Sequence, residues 1–187
     1  VITVIGQVAL CATAGYSFAR VRFPGRNILF VLVLGVLMIP SQIFLMPQYL
    51  VVQKMGLLNT IRALFLPNLF SAFGTFLLRQ SFLSLPVELE EAATLDGCNR
   101  FQIFYKIMLP LTKSSLVALA IMTMKFAWND LMWPLIVNTS AKKMTLAPLL
   151  SSMVSEYGTN YPVQMAGAVM AVLPIVILFI IFQKQFI

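Results

Sequence analysis

Four of the six acidic residues in this 187-residue chain, Glu88, Glu90, Glu91 and Asp96, fall within residues 79–113. Phe101, Phe104, Tyr105 and Met108 follow a few positions on. Carboxylates beside an apolar, aromatic run suit either a linker lying on the membrane surface or a face that a partner covers. They do not suit catalysis, because the chain has no His and shows neither a nucleophile–base set nor metal-ligand spacing. Cys11 and Cys98 are not expected to pair or to carry thiol chemistry. The nine glycines never form GxxxxGK[ST] or GxGxxG, so a nucleotide that drives this protein is bound by another subunit. A second polar set, Thr123, Lys125, Asn129 and Asp130, lies in an apolar run with Trp128 and Trp133 beside it. Polar groups in lipid mark either helix packing or a solute path. Asn129 and Asp130 with the two tryptophans can line such a path. Equally, the tryptophans can be interfacial anchors and the polar pair a helix–helix contact.

The elements that position these residues follow from composition. Residues of the AVILMFWYC set make up 60% of the chain and charged residues 10%, against ~25% charged in soluble domains. The mean hydropathy is +0.91. A soluble globule, a disordered chain and a disulfide scaffold are excluded, which leaves an all-α polytopic transmembrane helical bundle. Five apolar runs qualify as spans, at residues 2–19, 27–50, 61–78, 114–136 and 165–183. Pro40 and Pro47 are expected to kink the second, and Pro67, Pro134 and Pro174 fall in the third, fourth and fifth. Ala12, Gly15 and Ala19 on the first run, with Gly167 and Ala171 on the last, are small enough for close helix approach.

The formal charge is +7, with the basic residues spread singly between apolar runs, which suits membrane orientation and lipid rather than nucleic acid. One set of connections holds Arg20, Arg22, Arg26, Arg79, Arg100, Lys106, Lys113 and Lys184; the other holds Lys54, Arg62, Lys142 and Lys143. The richer set is expected on the cytoplasmic side, with residue 1 outside and residue 187 inside. An odd number of spans with an outside start predicts one further N-terminal helix before Val1. No signal peptide is read at Val1.

Residues 79–113 read as a helix–turn–helix elbow between the third and fourth spans. Pro86 suits the first turn of a helix, and Glu88, Glu90 and Glu91 fall near its positive end. Asp96-Gly97 is a stop signal, since Gly97 can take the left-handed conformation. Asn99 and Gln102 have capping-box spacing for a second helix. Phe101, Phe104, Tyr105 and Met108, at i, i+3, i+4 and i+7, predict its apolar face, and Leu109-Pro110 its end.

These residues resemble a known family. Glu91-Ala92-Ala93, Gly97, Ile107, Leu109 and Pro110 reproduce EAA-x3-G-x9-I-x-LP, the EAA signature of bacterial ABC importer permeases. Phe23-Pro24-Gly25-Arg26, Met38-Ile39-Pro40, Gly56-Leu57-Leu58-Asn59-Thr60, Trp128-Asn129-Asp130 with Trp133-Pro134, and Glu156-Tyr157-Gly158 resemble the carbohydrate-uptake, maltose-type branch. The resemblance implies one transmembrane permease domain over 1–187, of the ABC importer type I fold, in the bacterial inner membrane, usually with six spans. It implies a non-catalytic subunit without a cofactor of its own, the ATP being used by a partner. The elbow would be a cytoplasmic coupling helix seated on an ATPase subunit through Glu90, Glu91, Ala92, Ala93, Asp96, Gly97, Phe101, Ile107, Leu109 and Pro110. The other implied partners are a second permease, as a heterodimer, and an extracellular binding protein facing residues 137–164. The cargo would be a sugar or oligosaccharide, with Trp128, Asn129, Asp130 and Trp133 along its route. A permease for another solute, such as glycerol phosphate, is the alternative, and a stand-alone secondary carrier is less favoured for want of internal repeats.

Overall fold

A computed structural model describes residues 1–153 and 161–182. Glu156-Tyr157-Gly158, Lys184 and Gln185 lie outside the described residues. Those described form helices and no strand. The α-helices are α1 (Ile2–Arg20), α2 (Arg26–Gly35), α3 (Leu45–Lys54), α4 (Ile61–Phe65), α5 (Ala72–Leu83), α6 (Glu88–Leu95), α7 (Arg100–Ile103), α8 (Leu109–Leu111), α9 (Lys113–Asn129), α10 (Met132–Val137), α11 (Leu146–Ser152) and α12 (Tyr161–Phe182). By length and composition α1 and α12 can each cross a membrane, and the count rises to five if each of three bent helix pairs is taken as one span. Apolar runs in lipid take this form because a helix satisfies its own backbone groups.

The prolines mostly sit where helices end. Ile39 is extended, as a residue before proline prefers, and the second run breaks there at Pro40. Pro47, expected to kink a helix, instead lies in the first turn of α3, where no intrahelical donor is lost. Pro67 lies in a 3₁₀ turn, Leu66–Asn68. Pro134 occupies the first turn of α10, so the fourth run is not one helix: it stops at Asn129 and restarts at Met132. Pro174 is inside α12.

The chain forms two compact units. Residues 1–40 and 69–120 make the first, built on α1 against α5. The small residues read from the sequence make this contact. Ala12, Gly15 and Ala19 are buried on α1, facing Gly74, Leu78 and Phe82. A Cβ at Gly15 would stand 3.0 Å from the Arg79 amide nitrogen and 3.1 Å from the Leu78 Cβ, so only glycine lets the two backbones approach this closely. The Cys11 thiol donates to the Ser71 carbonyl at 3.4 Å. Arg79 donates to the Phe18 carbonyl at 3.2 Å and lies 4.0 Å from the Phe30 ring centroid, which fastens α2 to the pair.

Residues 41–68 and 121–187 belong to the second unit. Val52, Ala63, Trp133 and Val137 form its buried cluster. Asn59 takes a left-handed φ of 56°, which Asn tolerates. Its side-chain oxygen accepts from the amides of Thr139 and Ser140, and its carbonyl accepts from the Lys143 ammonium at 2.6 Å. Gly167 lets α12 close on Leu150 of α11, where a Cβ would overlap the leucine side chain.

Gly15→Val is expected to cost about 1–3 kcal/mol through overpacking, read as a lower thermal midpoint in detergent. Gly35→Val, where a Cβ meets nothing within 4 Å, should leave the midpoint in place. Equal midpoints for the two variants would contradict the close α1–α5 contact.

Candidate functional site

The elbow is built from local signals. Val87 is the N-cap of α6, and Glu88, Glu90 and Glu91 lie in its first turn, at the positive end of the helix dipole. Pro86 stands just before this helix and not in its first turn. At the other end Gly97 has φ +81°, its amide donates to the Thr94 carbonyl at 3.0 Å, and the Cys98 amide donates to the Ala93 carbonyl at 2.9 Å. This is a Schellman motif, which satisfies carbonyls the helix leaves open. Asn99 and Gln102 form the expected capping box, with bonds of 2.9 and 2.8 Å.

The next stretch departs from the expected face. Phe104–Met108 is a π-helix, and the Leu109 amide donates to the Phe104 carbonyl five residues back. The wide turn lies directly before Pro110, whose ring would clash with the Lys106 carbonyl in a regular α-helix. Ile103 and Met108 are buried and Phe104 and Ile107 pack beside them, whereas Phe101 is 75% exposed and Tyr105 64% exposed. The i, i+3, i+4, i+7 face is therefore split. The helix also continues past Leu109-Pro110 to Leu111, where Thr112 bonds back to the Met108 carbonyl at 3.0 Å.

The elbow thus has two faces with different work. Inward, Ala93, Cys98, Ile103, Phe104, Ile107, Met108 and Leu109 join the core formed by α1 and α5. Tyr16 of α1 meets Phe104 and Phe82 there, with ring centroids 4.9 and 5.6 Å apart. Outward, Glu91, Ala92, Asp96, Gly97 and Pro110 are exposed, and Leu95 is 90% exposed. Of the residues read from the sequence as docking groups, Ala93, Ile107 and Leu109 consequently support the elbow from within.

Glu90 is also turned inward. Its carboxylate lies 3.2 Å from the Arg20 Nε, with the two side chains 16% and 7% exposed. The alignment is that of an ion pair rather than a hydrogen bond. Arg20 also donates to the carbonyls of Phe82, at 2.8 Å, and Leu85. In the sequence Arg20 shows only as an orienting charge, and nothing local links it to Glu90. An open cleft of about 650 Å³ runs along this face of the elbow, bordered by Tyr16, Glu90, Glu91, Thr94, Cys98 and Arg100.

The second set of candidates does not converge as the first does. Trp133 is buried, and its indole N–H donates to the Ala63 carbonyl at 2.9 Å, so it is a core residue and presents no stacking face. Trp128 is partly exposed and donates to the Ala171 carbonyl at 2.9 Å, tying α9 to α12. Asp130 accepts from the Trp133 amide at 3.4 Å and starts α10. Asn129 and Lys125 are exposed. Among the described residues no group of three or more His, Cys, Asp or Glu could hold a metal ion.

Residues 12–187 match the profile of the family described as binding-protein-dependent transport system inner membrane component. The chain is similar to the arabinooligosaccharides transport system permease protein AraQ of Halalkalibacterium halodurans, 43% identical over 187 residues, covering 100% of this chain and 67% of that protein. It is similar to the sn-glycerol-3-phosphate transport system permease protein UgpE of Yersinia pestis, 34% identical over 98% of this chain and 66% of the relative. The lactose transport system permease protein LacG of Rhizobium radiobacter is 36% identical over 93% of this chain and 64% of its own length. The chain therefore spans about two thirds of the relatives it matches. Its fold matches a chain in the crystal structure of a bacterial ABC transporter involved in the import of the acidic polysaccharide alginate, with TM-score 0.82, 24% identity, and coverage of 100% of this chain and 72% of that one.

Gly97→Ala places a Cβ in the left-handed region, at a cost of about 1–2 kcal/mol. Amide exchange at positions 97 and 98 should then accelerate roughly tenfold as the Schellman turn opens more often. Unchanged exchange at both amides would show that the turn does not depend on glycine.

Proposed function

The chain belongs to the binding-protein-dependent transport system inner membrane components, and from that premise we propose that residues 1–187 act as one permease domain of an ATP-driven importer. In this reading the chain carries out no reaction and holds no cofactor. It offers a route across the bilayer for a sugar or oligosaccharide delivered by an extracellular binding protein, beside a second permease subunit. ATP is bound and hydrolysed by ATPase subunits, and the elbow is the cytoplasmic handle through which they act.

The observation that carries this reading is the outward face of the elbow. Leu95, Phe101 and Tyr105 are 90, 75 and 64% exposed, with Glu91 and Asp96 exposed beside them. They stand on a support whose other face is locked into the α1–α5 core. An exposed aromatic and aliphatic surface next to carboxylates calls for a partner with a groove and a basic or N–H-rich rim. The rigid support lets closure of that partner be passed on as a push. The AraQ and LacG relatives favour a saccharide cargo, and the UgpE relative keeps a phosphorylated polyol as the second reading. Of the candidate route residues, Trp128, Asp130 and Trp133 each take part in a hydrogen bond, and the Asn129 side chain is exposed.

Phe101→Ala should weaken ATPase-subunit binding by about 30-fold, the loss of roughly 2 kcal/mol expected of a buried aromatic anchor. Glu91→Lys should abolish uptake in reconstituted vesicles while membrane insertion stays normal. Titrated co-purification and vesicle uptake read the two effects. Wild-type affinity and uptake in both variants would remove the docking claim.

A further inference from the structure

We propose that Arg20 is the positioning residue that makes the elbow move as one piece with α1 and α5. The proposal rests on the reading of the elbow as the ATPase handle. Arg20 ends α1. Its guanidinium donates to the Phe82 carbonyl near the end of α5 and to the Leu85 carbonyl in the connection that follows. Its Nε faces the Glu90 carboxylate at 3.2 Å in the first turn of α6. One side chain, 7% exposed, thus joins both membrane helices of this unit's central pair to the elbow.

The chemistry explains why this contact, rather than the surrounding packing, sets the position. The other elbow residues that pack into the α1–α5 core, among them Ala93, Ile103, Phe104 and Met108, are apolar, and apolar burial is non-directional. An elbow held by it alone can shift over Leu78 and Phe82 at little cost. A buried cation cannot shift freely, because a displacement takes it away from the Glu90 carboxylate and the two carbonyls that meet its charge. Arginine is suited to the place because its planar fork serves carbonyls and a carboxylate together, which a lysine ammonium does not do with the same geometry. Neighbouring carboxylates on one helix turn thereby take separate tasks: Glu90 fastens the elbow from within, and Glu91 faces outward.

The test uses the full-length permease in lipid nanodiscs, with Cys11→Ala and Cys98→Ala and spin labels on Leu83→Cys and Leu95→Cys. Electron–electron distance measurement should give one narrow separation with Arg20 intact. Arg20→Gln should broaden it, and Arg20→Lys should fall between. In the assembled transporter the same Arg20→Gln change should leave basal ATP hydrolysis in place. Its stimulation by the binding protein should fall at least about fivefold, the lower end of typical coupling between sites. Arg20→Lys should restore much of that stimulation, which a purely structural role would not predict once membrane amounts are equal. Should Arg20→Gln fail to accumulate, Glu90→Gln carries both measurements, since it leaves the Arg20–carbonyl bonds in place. An unchanged distance distribution, or unchanged stimulation, overturns the proposal. If the wild-type permease binds no ATPase subunit, the functional reading fails instead, and the distance measurement decides the joint on its own.

Discussion

A buried guanidinium is costly unless its charge is met, and at Arg20 two carbonyls and the Glu90 carboxylate meet it at one end of the α1–α5 pair. The last carbonyls of a helix have no intrahelical donor and carry the negative end of its dipole. The Phe82 carbonyl of α5 accepts from the Leu85 amide at 3.4 Å and from Arg20 at 2.8 Å. The first turn of a helix carries the positive end and welcomes carboxylates, and α6 supplies Glu90 there. Arg20 therefore sits between two features that need a cation, one from each helix. Removing a single partner would leave a desolvated charge, whose cost exceeds that of losing an exposed ion pair several-fold.

Around that polar joint the first unit is fastened by contacts suited to lipid. Between helices in a bilayer there is little hydrophobic drive, so packing distance and hydrogen bonds decide the association. Gly15 and Gly74 bring α1 and α5 together, and Cys11 and Arg79 add bonds to backbone carbonyls at two levels. The second unit uses different devices. Trp133 inserts its ring between α3 and α4 residues and hydrogen-bonds a carbonyl, while Asn59 gathers the amides of Thr139 and Ser140. Neither α9 nor α12 carries a marked polar stripe.

Much of the elbow was legible in the sequence because its signals are local. A capping box needs two residues three apart, and a left-handed stop needs a glycine; Asn99, Gln102 and Gly97 supply both. The small-residue stripe of α1 and the five apolar runs were legible for the same reason, each being a periodicity or a run length. The π turn was not, because it arises where the ring of Pro110 meets a carbonyl four residues back, which leaves no mark on the periodicity. Nor was the Arg20–Glu90 pair, whose partners lie far apart in sequence and show no charge pattern within one helix. Trp133 illustrates a different limit. An aromatic residue beside polar ones in an apolar run reads as a stacking surface until its indole is seen bound to Ala63.

The handle account places the outer face of the elbow in the cytoplasm and under an ATPase subunit. Leu95→Cys, in a chain lacking Cys11 and Cys98, tests this most directly with a membrane-impermeant maleimide. The account predicts labelling in inside-out vesicles alone, and protection of the thiol when the ATPase subunit is bound. Labelling from the exterior of right-side-out vesicles, or an equal rate with and without the ATPase subunit, would contradict it.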